Sequence, residues 1–136
     1  MANRPAPGGG FWSVRHAGMR WLLFSPSGRI GRKLFILGWL LLTAMNGFML
    51  SVLLAQDEGG AGLAVWTIVA LGAGVITVWA SAMLSVKRLH DVDMAGALAV
   101  LIFVPALSIL VLVALAVWPG TQGPNSFGTK RDAPHA

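Results

Sequence analysis

Lys87-Arg88-Leu89-His90-Asp91 is the densest polar cluster in the chain and the first place to look for chemistry. An imidazole that titrates near neutral pH beside a carboxylate is the one pair here suited to acid–base work. Arg88 and Asp91 stand three residues apart, a spacing that lets them pair on one helix face. Nothing nearby supplies a nucleophile, and the chain has no cysteine, which excludes disulfides, thiolate metal sites and a cysteine nucleophile together. His90, Asp91 and Asp93 form an incomplete ligand set, with His16 and His135 far off in sequence, so no metal is expected. No cofactor motif is present and no cofactor is expected. A charged turn that holds two helices in register accounts for the cluster without any reaction.

Arg29, Arg32 and Lys33 make a second group. Their spacings of three and four point all three cations one way if a helix begins near Ser27, a candidate N-cap. Lipid phosphate is an available partner for such a face, and snorkelling to headgroups as topology determinants is the simpler reading. Both clusters flank apolar spans rather than forming a surface interleaved with stacking aromatics. The net charge of +5 therefore suits membrane orientation, and no nucleic-acid partner is expected.

The elements that position these residues follow from the apolar blocks. With 56% hydrophobic and 11% charged residues over 136 positions, the chain is too apolar for a soluble domain of its size. Leu34 to Leu54, Ala61 to Val86 and Ala95 to Trp118 are uncharged stretches. At about 1.5 Å per residue each is long enough for a hydrocarbon core of about 30 Å. The expected fold is an all-α integral membrane protein with three transmembrane helices over a domain at 34–118. Before it come a disordered tail at 1–10 and a basic, aromatic interfacial segment at 11–33, with a short helix in the stretch from Phe11 to Phe24. After it comes an irregular tail at 119–136. Lys87 to Met94 is expected as a charged loop.

Six of the ten Lys and Arg residues precede the first span and only acids follow it, which places the N-terminus in the cytoplasm of a multi-pass protein. Lys87 and Arg88 return to that side. A third crossing, however, puts Lys130 and Arg131 outside, against the charge rule. Pro105 offers the alternative of two half-helices that dip in and return. A single crossing kinked at Pro105 is the expectation, and the re-entrant form stays open. Along the second span Ala70, Gly74, Thr77, Ser81 and Ser85 form a small-residue stripe that permits close helix contact. No ionisable residue lies at depth, which counts against ion-coupled transport by this chain alone.

Gly28-Arg29-Ile30-Gly31-Arg32 before the first span, Arg88-Leu89-His90-Asp91 after the second and Pro119-Gly120-Thr121-Gln122-Gly123-Pro124-Asn125-Ser126-Phe127-Gly128 after the third occur in order, each beside a span. In this order and spacing, over about Phe24 to Gly128, they resemble the bacterial family called domain of unknown function 805. The resemblance implies a small helical protein of the bacterial inner membrane and names no reaction. On the residues themselves, the first functional expectation is a non-catalytic accessory or scaffold subunit that packs against a membrane protein partner or a second copy. The alternative is a component handling membrane lipids or a small solute, its headgroup site built from Arg29, Arg32, Lys33, Lys87, Arg88, His90 and Asp91.

Overall fold

In an apolar surrounding a backbone must satisfy its own polar groups, and helices do so locally. The computed structural model describes residues 18–133, and all its regular elements are helical. In chain order they are α1 (Met19–Phe24), α2 (Arg32–Leu54), α3 (Ala61–Asp91), a 3-10 helix (Gly96–Phe103) and α4 (Pro105–Val117). The described residues hold no strand, only isolated bridges between Arg29 and Ala133 and between Asn125 and Gly128. The tail expected over 1–10 and the start of the interfacial segment, 11–17, lie outside the described residues.

α2 and α3 are long and apolar enough to cross a membrane. They are joined by a turn in which Gly59 takes φ 77° and Gly60 begins α3. The antiparallel pair packs closely at Gly38, which is buried against Leu84. One turn further along α2, Leu42 is buried too, and beyond it the amide of Asn46 donates to Thr77 Oγ1 at 2.9 Å and to Leu42 O at 2.7 Å. The buried core, Ile30, Phe35, Leu42, Ala80, Leu84, Leu89, Ala99 and Leu115, is confined to one end of the pair. Past Asn46 and Thr77 the faces are open, and the most apolar window of α3 contains no buried residue.

α3 does not stop at Val86. It continues to Asp91, so Lys87 to Asp91, expected in a loop, form its final turn. Cations at a helix C-terminus favour this extension, because the last carbonyls carry partial negative charge. α2 starts later than the Ser27 cap implies: its N-cap is Gly31, after Gly28 has turned the chain with φ 90°.

The third apolar stretch divides at Val104-Pro105. Proline disfavours helical backbone in the residue before it and lacks the donor that would continue a helix, yet it suits a first helical turn. Val104 is accordingly extended (φ −90°, ψ 109°), and Pro105 opens α4. The 3-10 helix of 8 residues rises about 16 Å at about 2 Å each. α4, with 13 residues, rises about 20 Å. Neither arm matches a core of about 30 Å. Both outer ends meet the last turn of α3: Gly96 lies against Val86 and His90, and Leu115 O accepts from Arg88 Nε at 2.7 Å. The single helix expected over the third stretch is thus divided into two arms, whose outer ends both lie at the last turn of α3.

The Gly38 contact gives a direct test of the helix pair. A Cβ there would stand 2.8 Å from Leu84 Cδ1 and 3.0 Å from Cδ2. Gly38→Leu is expected to destabilise the detergent-purified protein by about 1–3 kcal/mol through overpacking, and Leu84→Ala in the same chain should recover part of that loss. Thermal unfolding of both variants checks it.

Candidate functional site

Arg29, Arg88 and Arg131 converge on one carboxylate, that of Asp91, at the end where α2 begins and α3 and α4 finish. Asp91, Arg88 and Arg29 are all but completely removed from solvent, while Arg131 is 39% exposed. Asp91 Oδ1 accepts from Arg29 Nη2 at 3.0 Å and from Arg131 Nε at 2.8 Å, and Oδ2 accepts from Arg88 Nη1. A buried ion pair costs several kcal/mol per ion in lost hydration and is tolerated only when the remaining donors are also satisfied.

Arg29 meets that condition in full. Its five N–H groups reach Asp91 Oδ1 through Nε (3.3 Å) and Nη2, Thr121 O through Nη2 (2.7 Å), and Gly123 O and Gly128 O through Nη1 (2.7 and 3.1 Å). The local backbone explains its position. Gly28 holds a left-handed φ of 90°, where an added Cβ would stand 2.5 Å from Ala133 O and 2.8 Å from Trp21 Cζ2. Ile30 N then donates to Lys87 O at 3.4 Å, which keeps Arg29 outside the helix and aimed inward.

The other cations close helix ends, whose last carbonyls have no partner within their own helix. Arg88 donates to Leu115 O and Trp118 O at the end of α4. Lys87 Nζ donates to Trp21 O and, at 2.6 Å, to Leu22 O in α1, and it lies 4.7 Å from the Trp21 ring centroid, within cation–π range. Asn125 Nδ2 caps α3 through His90 O at 2.7 Å. Asp132 accepts from Gly31 N at 2.6 Å, placing a carboxylate at the positive N-terminus of α2. The His90 ring stacks on Phe127, with centroids 4.1 Å apart and planes 4° from parallel, and Nδ1 lies 3.3 Å from Gly28 O.

Sequence spacing anticipates the Arg88–Asp91 pair, but it misgroups Arg29 with Arg32 and Lys33. Arg29 is buried in the cage, whereas Arg32 and Lys33 are exposed in the first turn of α2, Arg32 with a 3.4 Å bond to Val117 O. Arg131, Asp132, Asn125 and the Thr121 carbonyl escape a reading based on residue type. The signal for Arg131 was its charge on a tail that a third crossing would have put on the wrong side. Of the small-residue stripe, Ser81 and Ser85 are buried and Thr77 bonds to Asn46, whereas Ala70 and Gly74 are half-buried and a Cβ on Gly74 would meet nothing within 4 Å.

Chemically the arrangement holds the chain together. Asp91→Asn removes the charge that pairs with two buried guanidiniums and is expected to cost about 3–5 kcal/mol. Thermal unfolding in detergent should show that loss, and a variant as stable as the parent would contradict the cage. Gly120→Ala should act in the same direction, because its Cβ would collide with the Asp91 carboxylate.

A 45-residue segment is 47% identical to the inner membrane protein YhaI of Escherichia coli strain K12, and equally to YhaI of Escherichia coli O157:H7. The segment covers 33% of this chain and 38% of the relatives, so the match spans well under half of the curated proteins' length. No solved structure matches the chain. The family described as protein of unknown function DUF805 matches residues 23–129, a region that contains α2, α3, the returning hairpin and all of the Asp91 cage except Arg131. The chain belongs to the DUF805 family.

Proposed function

We propose that the protein is a non-catalytic scaffold subunit of the bacterial inner membrane, crossing twice through α2 and α3 and dipping in and out with the hairpin of the 3-10 helix and α4. The N-terminal segment, the cage and the tail then all face the cytoplasm. Charge supports this orientation: Arg29, Arg32, Lys33, Lys87, Arg88 and Arg131 gather at one end of the helix pair, and Asp57 and Glu58 occupy the turn at the other. The hairpin supports it too, since the outer ends of both arms lie at the last turn of α3, where Gly96 meets Val86 and His90 and Leu115 O accepts from Arg88. The resemblance to an inner membrane protein supports the location.

The observation that carries the scaffold reading is that the cage spends its polar groups on the chain itself. Both Asp91 oxygens accept from arginine, Lys87 caps a helix, and His90 lies against Phe127, leaving no acid–base pair poised at a substrate. Meanwhile the far halves of α2 and α3 present apolar faces with room for close approach at Gly47, Gly72 and Gly74. Small residues on an uncovered helix face suit a membrane-protein partner or a second copy, with lipid covering the rest.

Two measurements test this reading. The chain has no cysteine, so single substitutions report cleanly. With a membrane-impermeant maleimide, Glu58→Cys should be labelled in intact spheroplasts and Lys130→Cys only after lysis; labelling of Lys130→Cys before lysis would place the tail outside. Gly74→Leu, in open space, should change the stability of the isolated protein by no more than about 0.5 kcal/mol while lowering recovery of any stoichiometric membrane partner or second copy. Undiminished recovery would count against a partner on that face.

A further inference from the structure

Beside the cage lies a polar cavity of about 420 Å³, lined by Arg29, Thr121, Gln122, Gly123, Thr129 and Arg131. Its lining contains two guanidiniums and no carboxylate. Arg29 has no donor to spare, but Arg131 engages only Nε and Nη2, with Asp91 Oδ1 and with Thr121 O at 2.9 Å. Among the described residues, Arg131 Nη1 and the hydroxyls of Thr121 and Thr129 have no hydrogen-bond partner, and a Cβ on Gly123 would meet nothing within 4 Å. Three guanidiniums around one carboxylate leave a surplus of two positive charges, of which Asp132 on Gly31 N offsets one.

We infer that this cavity binds a phosphate group, with Arg131 as its principal charged contact and Thr121, Thr129 and Gln122 as neutral donors. A guanidinium presents a planar fork that matches phosphate oxygens, and hydroxyl and amide donors complete the shell of a tetrahedral anion. The part of Arg29 is electrostatic: its charge stands at the cavity wall while its N–H groups are held by the protein. The phosphate comes either from an anionic phospholipid headgroup or from a free phosphate or phosphate monoester. This inference goes beyond the scaffold reading and does not require a protein partner. Only the lipid source relies on the proposed topology, which brings the cavity to the cytoplasmic headgroup layer.

The test uses the full chain with Gln122→Glu, which brings a carboxylate to the cavity wall without touching Asp91, and Thr129→Ala, which removes one donor. Thermal unfolding in detergent is compared in inorganic phosphate and in chloride at matched ionic strength. In parallel, the protein is reconstituted in nanodiscs of phosphatidylglycerol and phosphatidylcholine and analysed by native mass spectrometry for retained lipid. At least one phosphate source should bind the parent chain, with affinity falling about tenfold in Gln122→Glu and less in Thr129→Ala, while unfolding in chloride stays unchanged in Thr129→Ala. Retention of one phosphatidylglycerol per chain, lost in Gln122→Glu, identifies the headgroup as the source. Stabilisation by inorganic phosphate without lipid preference identifies the free anion. Binding of neither probe, or equal binding by the parent and both variants, overturns the inference. The detergent arm is independent of membrane sidedness, so its failure and a failure of the proposed topology are told apart.

Discussion

The buried carboxylate of Asp91 is the constraint on which the rest of the structure depends. A lone carboxylate removed from water would be untenable, and so would the arginines around it. Together they form a set in which the two buried guanidiniums, having paired with Asp91, turn their remaining donors to backbone carbonyls of another segment. Arg88 thereby fastens the end of α4, Arg29 fastens the tail at Thr121, Gly123 and Gly128, and Arg131 returns from the tail to the same oxygen. Apolar packing cannot impose this arrangement in a membrane, where lipid solvates a leucine as well as protein does. Buried polar groups, which must find partners of fixed geometry, supply the specificity.

The hairpin is the architectural result. Two short arms are held at both outer ends by the last turn of α3, and the corner between them is set by proline's missing donor. The core is accordingly lopsided. Side chains from α2, α3 and both arms are buried around Leu84 and Leu115, while the opposite half of the pair consists of two helices that meet little beyond Asn46 and Thr77.

Length and hydropathy make α2 and α3 legible in the sequence, and helical spacing makes the Arg88–Asp91 pair legible. They cannot decide the third stretch, because a kinked crossing and a returning hairpin contain the same apolar residues. The deciding information is long-range: the positive charge of Arg131 has to find a place, and that place is beside Asp91. Arg29 was misassigned for a local reason. A helical wheel drawn from Ser27 assumes helix through Gly28 and Gly31, but a left-handed glycine and a later N-cap release Arg29 from the face of Arg32 and Lys33. Backbone carbonyls are the part of the site least visible in a sequence, since any residue type can supply one.

The cage also imposes an order on biogenesis. Arg29 meets Asp91 across 62 residues and Gly128 across 99, and Gly31 meets Asp132 across 101. Synthesis runs from the N-terminus, so α2 and α3 are made before the tail exists, and the two arms from Gly96 to Val117 must be in place before Arg131 can reach Asp91. Such distant contacts repay their loop-closure entropy only on completion. Until then Asp91 has Arg88 and Arg29 for company, and the carbonyls at Thr121, Gly123 and Gly128 that will saturate Arg29 have yet to emerge. Insertion therefore comes first and locking last, with the C-terminal segment acting as the clasp that closes a chain already seated in its bilayer.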